Sequence, residues 1–259
     1  MKSDLPAKGG RYLYCVIKGE AEDLNLSGID NQVVSTLVYK GLTVVAHRCE
    51  PEPYFSKDSE VVTKWLAQQH KIVEEYWLRY NDVMPFTFNT IIKSDAGGAP
   101  EDLLFRWLED NYGYIQNKLS SIEGRKEYGV QVIMDSKKAA EVLVNSDEEV
   151  VRLKVDLDRS AAGKAFLIKE KINTRLKVLI AAEADNIFRR CYSAVEQNVY
   201  RINIEKIKKL DLHKIMLLNL SCLADEEQCA ELGRFLDHVN EIPYIGVNFS
   251  GPWPPYSFM

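Results

Sequence analysis

The best phosphate signal in this sequence is Gly163-Lys164, which opens a long apolar-periodic stretch where the N–H groups of a first helical turn can cradle an anion. As a Walker A loop it is incomplete. Asp158 stands where the leading glycine belongs, and Ala165 follows the lysine in place of Ser or Thr. Helix initiation is therefore the expectation there. Gly97-Gly98 would let a ligand approach the backbone, but Asp95, Glu101 and Asp102 would repel an anionic one, so a turn is expected.

Metal and nucleophile chemistry fare no better. The histidines His47, His70, His213 and His238 show no His-x-x-x-His or His/Cys pairing, and His70 lies between Leu66 and Val73 on a helix, the setting of a partly buried, hydrogen-bonded residue. Cys15, Cys49, Cys191, Cys222 and Cys229 are odd in number and scattered, without Cys-x-x-Cys, and read as small core residues of a reducing compartment. Cys–His pairs meet in space rather than in sequence, yet no cysteine here has a recognisable nucleophile setting. Glu74-Glu75 and Asp147-Glu148-Glu149 read as solvated charge. No catalytic, cofactor or metal residue is assigned. Tyr12 and Tyr14 share one strand face, as base-stacking aromatics of RNA-binding sheets do, but no basic-aromatic strand motif accompanies them, and core packing is the expectation.

The elements that would position such residues are those of an α+β protein. Residues 11–17 are aromatic and β-branched and predict a strand. Residues 32–39 and 42–49 predict a hairpin turning at Lys40-Gly41. Ser56, Asp58 and Ser59 offer N-caps to a helix carrying Val62, Trp65, Leu66, Val73, Tyr76, Trp77 and Tyr80. Residues 84–92 alternate like one strand. Pro100 suits a first helical turn, and the apolar positions Leu104, Trp107, Leu108, Ile115 and Leu119 predict one helix running to Gly124.

The second half predicts a strand over 128–134, then a charged connection over 135–159 with a short helix near 139–144. A long amphipathic helix follows over 160–194. Strands at 194–202 and 215–222, a helix opened by Asp225 and a strand at 243–249 complete it. At about 1.5 Å per residue that long helix outreaches a small sheet, so part of it should project or pack between domains. The order βαββαβ is that of a ferredoxin-like fold, and the first half reads as a modified version lacking its first helix. The expected domains are residues 1–123 and 124–250, followed by a tail, 251–259.

Composition fits this reading. With 46% hydrophobic and 27% charged residues the chain can bury a core and is not of disordered type. A net charge of −5 leaves no cationic surplus for nucleic acid or an anionic lipid surface. The most apolar window, 215–224, is half of the roughly 20 residues a membrane span needs, and residues 1–10 do not resemble a signal peptide. A soluble cytoplasmic protein is expected.

The tail Gly251-Pro252-Trp253-Pro254-Pro255-Tyr256-Ser257-Phe258-Met259 is the least ordinary stretch. Pro252, Pro254 and Pro255 fix φ near about −65° and stiffen the backbone on which Trp253, Tyr256 and Phe258 hang. Two roles are open: the aromatics cap the protein's own core, holding the second domain together, or they bind a partner.

The ending Phe249-Ser250-Gly251-Pro252-Trp253-Pro254-Pro255-Tyr256-Ser257-Phe258 resembles the close of the gas vesicle protein F/L family. Tyr12-Leu13-Tyr14-Cys15-Val16-Ile17, the His70 helix with Met84-Pro85-Phe86-Thr87-Phe88-Asn89-Thr90, Glu127-Tyr128-Gly129-Val130-Gln131-Val132 and Gly163-Lys164-Ala165-Phe166-Leu167 resemble family segments in the same order. The chain has Thr87-Phe88-Asn89-Thr90 where many members have Arg-Phe-Gly-Thr; the F-type is the expected subgroup. The resemblance implies two ferredoxin-like domains and no enzymatic activity. It implies a minor gas vesicle protein that assists assembly by binding the small hydrophobic shell protein and limiting its aggregation. Other gas vesicle accessory proteins are implied partners, and the inner, gas-facing surface of the vesicle within the cytoplasm is the implied location. The competing expectation is a ferredoxin-like small-ligand binder or enzyme with an interdomain pocket.

Overall fold

The computed structural model describes residues 9–93 and 99–259. The Gly97-Gly98 turn and Asp95 lie outside the described residues. By its internal contacts the chain forms two compact units, Met1–Glu127 with Pro252–Met259, and Tyr128–Gly251. Each carries one antiparallel sheet with helices.

The first unit is built on β1 (Gly10–Lys18), in which every residue but Lys18 is buried. Such continuous burial needs cover on both faces of the strand, and the run of Tyr, Leu, Cys, Val and Ile supplies the apolar surface for it. β2 (Val34–Tyr39) and β3 (Leu42–Cys49) pair antiparallel with Tyr39 opposite Leu42, and β3 pairs antiparallel with β1. Lys40 (φ 46°) and Gly41 (φ 77°) close that hairpin with two successive positive φ values, the geometry that matches the twist of its strands.

Helix α1 (Ser59–Tyr80) begins where the Asp58 carboxylate accepts the Glu60 N–H at 2.8 Å, one of the three caps expected there. Its Ile72, Val73, Tyr76 and Trp77 pack with Tyr12, Tyr14 and Ile17 of β1. Helices α2 (Pro100–Asp110) and α3 (Tyr112–Ile122) also touch β1 and bury Leu104, Leu108, Ile115 and Leu119.

Two local expectations are corrected here. The single strand over 84–92 is two, β4 (Val83–Pro85) and β5 (Ile91–Lys93), pairing with the second and first halves of β1 respectively. Pro85 has no N–H to continue a ladder, and Asn89 takes φ 67°. Asparagine tolerates that left-handed backbone better than most residues other than glycine. The single helix over 100–124 is broken at Asn111, whose side-chain amide and backbone N–H both donate to the Trp107 carbonyl, at 2.8 and 3.0 Å. A side chain that competes for its own helix's carbonyl favours an end there. The sheet runs β2-β3-β1-β4, with β5 beside β4 on the β1 edge.

The second unit opens within β6 (Lys126–Asp135), whose first two residues belong to the first unit and whose burial alternates along most of its length as a one-sided strand should. α4 (Ser136–Leu143) starts at the Asp135 cap. α5 (Glu148–Asp158), capped by Asp147, occupies what reads in the sequence as a charged connection. α6 (Ala162–Asn198) follows and continues past the expected end at 194. Its C-terminal half lays Ile187, Cys191 and Val195 on the sheet, whereas Ile168 and Ile172 of its N-terminal half pack with Val150, Leu153 and Leu157 of α5. The overhang expected of this helix is therefore clad by α5.

β7 (Arg201–Ile204), β8 (Lys214–Ala224), α7 (Glu226–Asn240) and β9 (Ile245–Trp253) complete the unit, with a capping box between Asp225 and Gln228 at the start of α7. The sheet order is β7-β8-β6-β9. β9 runs beyond the expected end at 249 and takes in the first three tail residues; Pro252 is tolerated because β9 is an edge strand. None of the described helices is long and apolar enough to cross a membrane.

Candidate functional site

The tail residues separate into two groups by burial. Pro254, Pro255 and Phe258 are buried and Tyr256 is half-buried, while Pro252 and Trp253 are exposed, Trp253 by 40%. A short turn over Tyr256–Phe258 brings the aromatics back onto the first unit.

There the Tyr256 ring packs against the cluster holding Tyr12, Tyr14, Cys15 and Tyr76. Its hydroxyl lies 3.3 Å from His70 Nδ1, and burial pushes that phenol above its usual range, so it stays protonated. The rings of Trp253 and Tyr256 both stand 5.9 Å from His70. Ser257 donates to the buried Glu127 carboxylate twice, through its N–H at 2.8 Å and its hydroxyl at 2.7 Å. Lys118 Nζ donates to the Phe258 carbonyl at 2.9 Å.

Hydrogen bonds to a charged acceptor contribute about 1.5–3 kcal/mol each. Replacing Glu127 by Gln keeps the shape but removes the charge and one acceptor oxygen. The expected loss is about 1–3 kcal/mol in equilibrium denaturation, with Glu127→Leu losing more. No sequence spacing announces these contacts, since Glu127 and Lys118 lie 130 and 140 residues from their tail partners.

Beneath the tail, a polar network runs through the aromatic core. The Ile29 N–H donates to the Tyr14 hydroxyl at 3.0 Å, which lies 2.8 Å from His47 Nδ1; His47 Nε2 lies 3.0 Å from the Tyr54 hydroxyl. Tyr12 donates to Gln69 and accepts the Asn89 N–H at 3.2 Å. Asn89 in turn exchanges side-chain bonds with the Tyr54 backbone at 2.9 and 3.0 Å. A neutral imidazole, one nitrogen donating and one accepting, serves both tyrosines. Burial drives the His47 pKa down to about 4, with Arg11 lowering it further against Asp30. Tyr12 and Tyr14 are fully buried, as core residues, and offer no face to a base.

A cleft of about 630 Å³ in the same unit is lined by Arg11, Arg48, Cys49, Tyr54, Trp65 and Glu101 among others. Arg11 is paired with Glu101, with Arg48 at 3.7 Å, and burial pushes the Cys49 thiol up to about 11, far from a thiolate at neutral pH. Among the described residues no group of three or more His, Cys, Asp and Glu could hold a metal ion. His238 lies against the Arg234 carbonyl of its own helix, and His213 sits at positive φ just before β8. Gly163 and Lys164 stand exposed in the first turn of α6.

Comparison with known proteins places this arrangement. The family model for gas vesicle synthesis protein GvpL/GvpF matches residues 10–259. Gas vesicle protein L1 of Halobacterium salinarum is 29% identical, over 96% of this chain and 90% of its own length. Gas vesicle protein L of Haloferax mediterranei is 24% identical, over 96% of this chain and 87% of its own. The crystal structure of GvpF from Anabaena sp. PCC7120 superposes with a TM-score of 0.71 at 17% identity, covering 96% of this chain and 98% of that one. GvpF from Microcystis aeruginosa gives 0.66 with the same coverage. The matches thus span both subgroups. A match running from the first strand to the last tail residue shows that the chain belongs to the GvpL/GvpF family of gas vesicle synthesis proteins.

Proposed function

We propose that this protein acts in gas vesicle formation by binding the small hydrophobic shell protein and limiting its aggregation while the wall nucleates, without catalysing a reaction. The observation that carries the reading is the family match over residues 10–259. The chemistry of the first unit agrees with it. The Arg11 guanidinium is engaged by Glu101, the Cys49 thiol is protonated and His47 is locked neutral between two tyrosines, so none is poised for acid, base or nucleophile work. Other gas vesicle accessory proteins are the further partners, nucleic acid and lipid membrane are not, and the inner, gas-facing surface of the vesicle is the proposed location.

Both units read as ferredoxin-like. Counted within each unit, the strands lie in the order 4-1-3-2, and the first unit lacks the helix between its first two strands. The proposed domains are an N-terminal one to about residue 123 and a C-terminal one from there to about residue 250. The tail residues Pro254, Pro255, Tyr256 and Phe258 serve as a seat on the first unit, leaving Pro252 and Trp253 outward for a partner.

Removal of the gene from a gas-vesicle-forming host tests this. Vesicles should be absent or reduced to few, malformed bodies by electron microscopy, and restored by the full chain. Normal vesicle numbers in the deletion strain would overturn the reading.

A further inference from the structure

β7 ends the sheet of the second unit, and at four residues it covers little of the eleven-residue β8 beside it. Beyond Ile204 the chain keeps to β8 in a looser way. The Glu205 N–H donates to the Asn219 carbonyl at 2.9 Å, the Asn219 side chain donates to the Lys206 carbonyl at 2.6 Å, and the Lys208 N–H meets Met216 Sδ at 3.3 Å. In an antiparallel ladder, backbone groups alternate between the two sides. Since Glu205 bonds inward to β8, the N–H and C=O of Ile204 and Ile202 face the open edge.

Along this edge large apolar side chains stand in solvent: Ile204 is 69% exposed, Ile207 58% and Leu212 85%, with Ile215 also exposed. They alternate with charge. Residues 201–214 hold five basic side chains (Arg201, Lys206, Lys208, Lys209, Lys214) against two acidic ones, in a chain whose net charge is −5. An apolar patch rimmed by one sign of charge marks an interaction site, and an open edge adds backbone hydrogen bonds to what it offers.

We propose that the outer edge of β7, with the segment that follows to Lys214, is a docking edge that takes an extended acidic and apolar segment of a partner protein as an added strand. The lysines decide the occupant. They repel a second copy of the same edge and attract acidic side chains flanking the added strand. An anionic lipid surface would satisfy the lysines and isoleucines, but it has no register of N–H and C=O groups to pair with Ile202 and Ile204. This surface is independent of the shell-protein reading, and its test uses neither shell protein nor vesicles.

The probe is a short end-blocked peptide alternating Val with Glu, titrated into the isotope-labelled full chain, with its Val/Lys counterpart and phosphatidylglycerol liposomes as the other arms. The Val/Glu peptide should slow hydrogen exchange at the Ile202 and Ile204 amides. Ile204→Pro, which removes an outward donor, should weaken binding by about tenfold or more. Lys206→Glu/Lys208→Glu/Lys209→Glu, all at exposed positions, should exchange the preference to the Val/Lys peptide. That triple variant serves alone if the proline variant does not fold. The proposal is overturned if the amides gain no protection, if the triple variant keeps its preference, if liposomes bind the edge while peptides do not, or if the free chain dimerises through this edge.

Discussion

Removal of residues 254–259 is expected to unfold the first unit while leaving the second folded, although the deletion adjoins the second unit's last strand. Phe258 is 3% exposed, Pro254 and Pro255 are buried, and Tyr256 fills part of the core around Tyr12 and Tyr14. Truncating one buried phenylalanine costs about 3–5 kcal/mol, a large share of the roughly 5–15 kcal/mol by which such a domain is stable. Phe258→Ala alone should therefore lower the first unit's stability by about that amount. Trp253→Ala, at a half-exposed ring, should cost about 1 kcal/mol or less. Hydrogen exchange resolved by segment separates the outcomes: protection lost in β1, β3 and α1 but kept in β6, β8 and α7 is expected. Loss confined to the second unit would instead support the sequence expectation that the tail holds that domain together.

Acid should weaken the first unit in a window set by His47. Its folded pKa is about 4 against an ordinary 6.5, so between those values the unfolded chain binds a proton that the folded chain does not. Stability then rises with pH across the window. It is complete above pH 6.5 and falls as pH drops toward 4, by about 3 kcal/mol at roughly 1.4 kcal/mol per pH unit. The physical cause is the cost of charging a buried imidazole that would also lose its acceptor nitrogen between Tyr14 and Tyr54. In the same unit the carboxylates of Glu101, bonded by Arg11, and Glu109, bonded by Lys40, are held below their ordinary 4.5, so their contributions are lost only at the acid end of this window and below it. His47→Gln, which can hydrogen-bond but not titrate, should remove the slope between pH 6.5 and 4. An unchanged slope in urea denaturation across that range would show that another group carries it.

Much of the fold is legible in the residues because local chemistry and tertiary structure agree. Gly41 can take the positive φ that a tight turn needs, Asp58 and Asp225 cap the helices they precede, and the apolar stripe of α6 persists from Ile168 to Val195, roughly seven turns. Sequence and structure part where two local signals compete. α5 has Val150, Leu153 and Leu157 at helical spacing behind the Asp147 cap, but the charge of its acidic first turn masks that stripe in the sequence. Residues 84–92 keep a strand's alternation through a loop that Pro85 and the left-handed Asn89 impose. Asn111 divides α2 from α3 without disturbing the apolar period.

The candidate site was legible as identity rather than as geometry. The prolines and aromatics of the tail carry the resemblance to the family, yet where they bind within the chain depends on His70, Lys118 and Glu127, each more than 100 residues away. Likewise His47 gives no sign in sequence that Tyr14 and Tyr54 enclose it.

The most direct test is to co-express the hydrophobic shell protein with and without this chain and measure the shell protein remaining soluble after sedimentation, together with its co-purification on the tagged chain. The shell protein should stay soluble and co-purify with the full chain. A shell protein that pellets equally in the presence and absence of the chain, and does not co-purify with it, would contradict the assembly role.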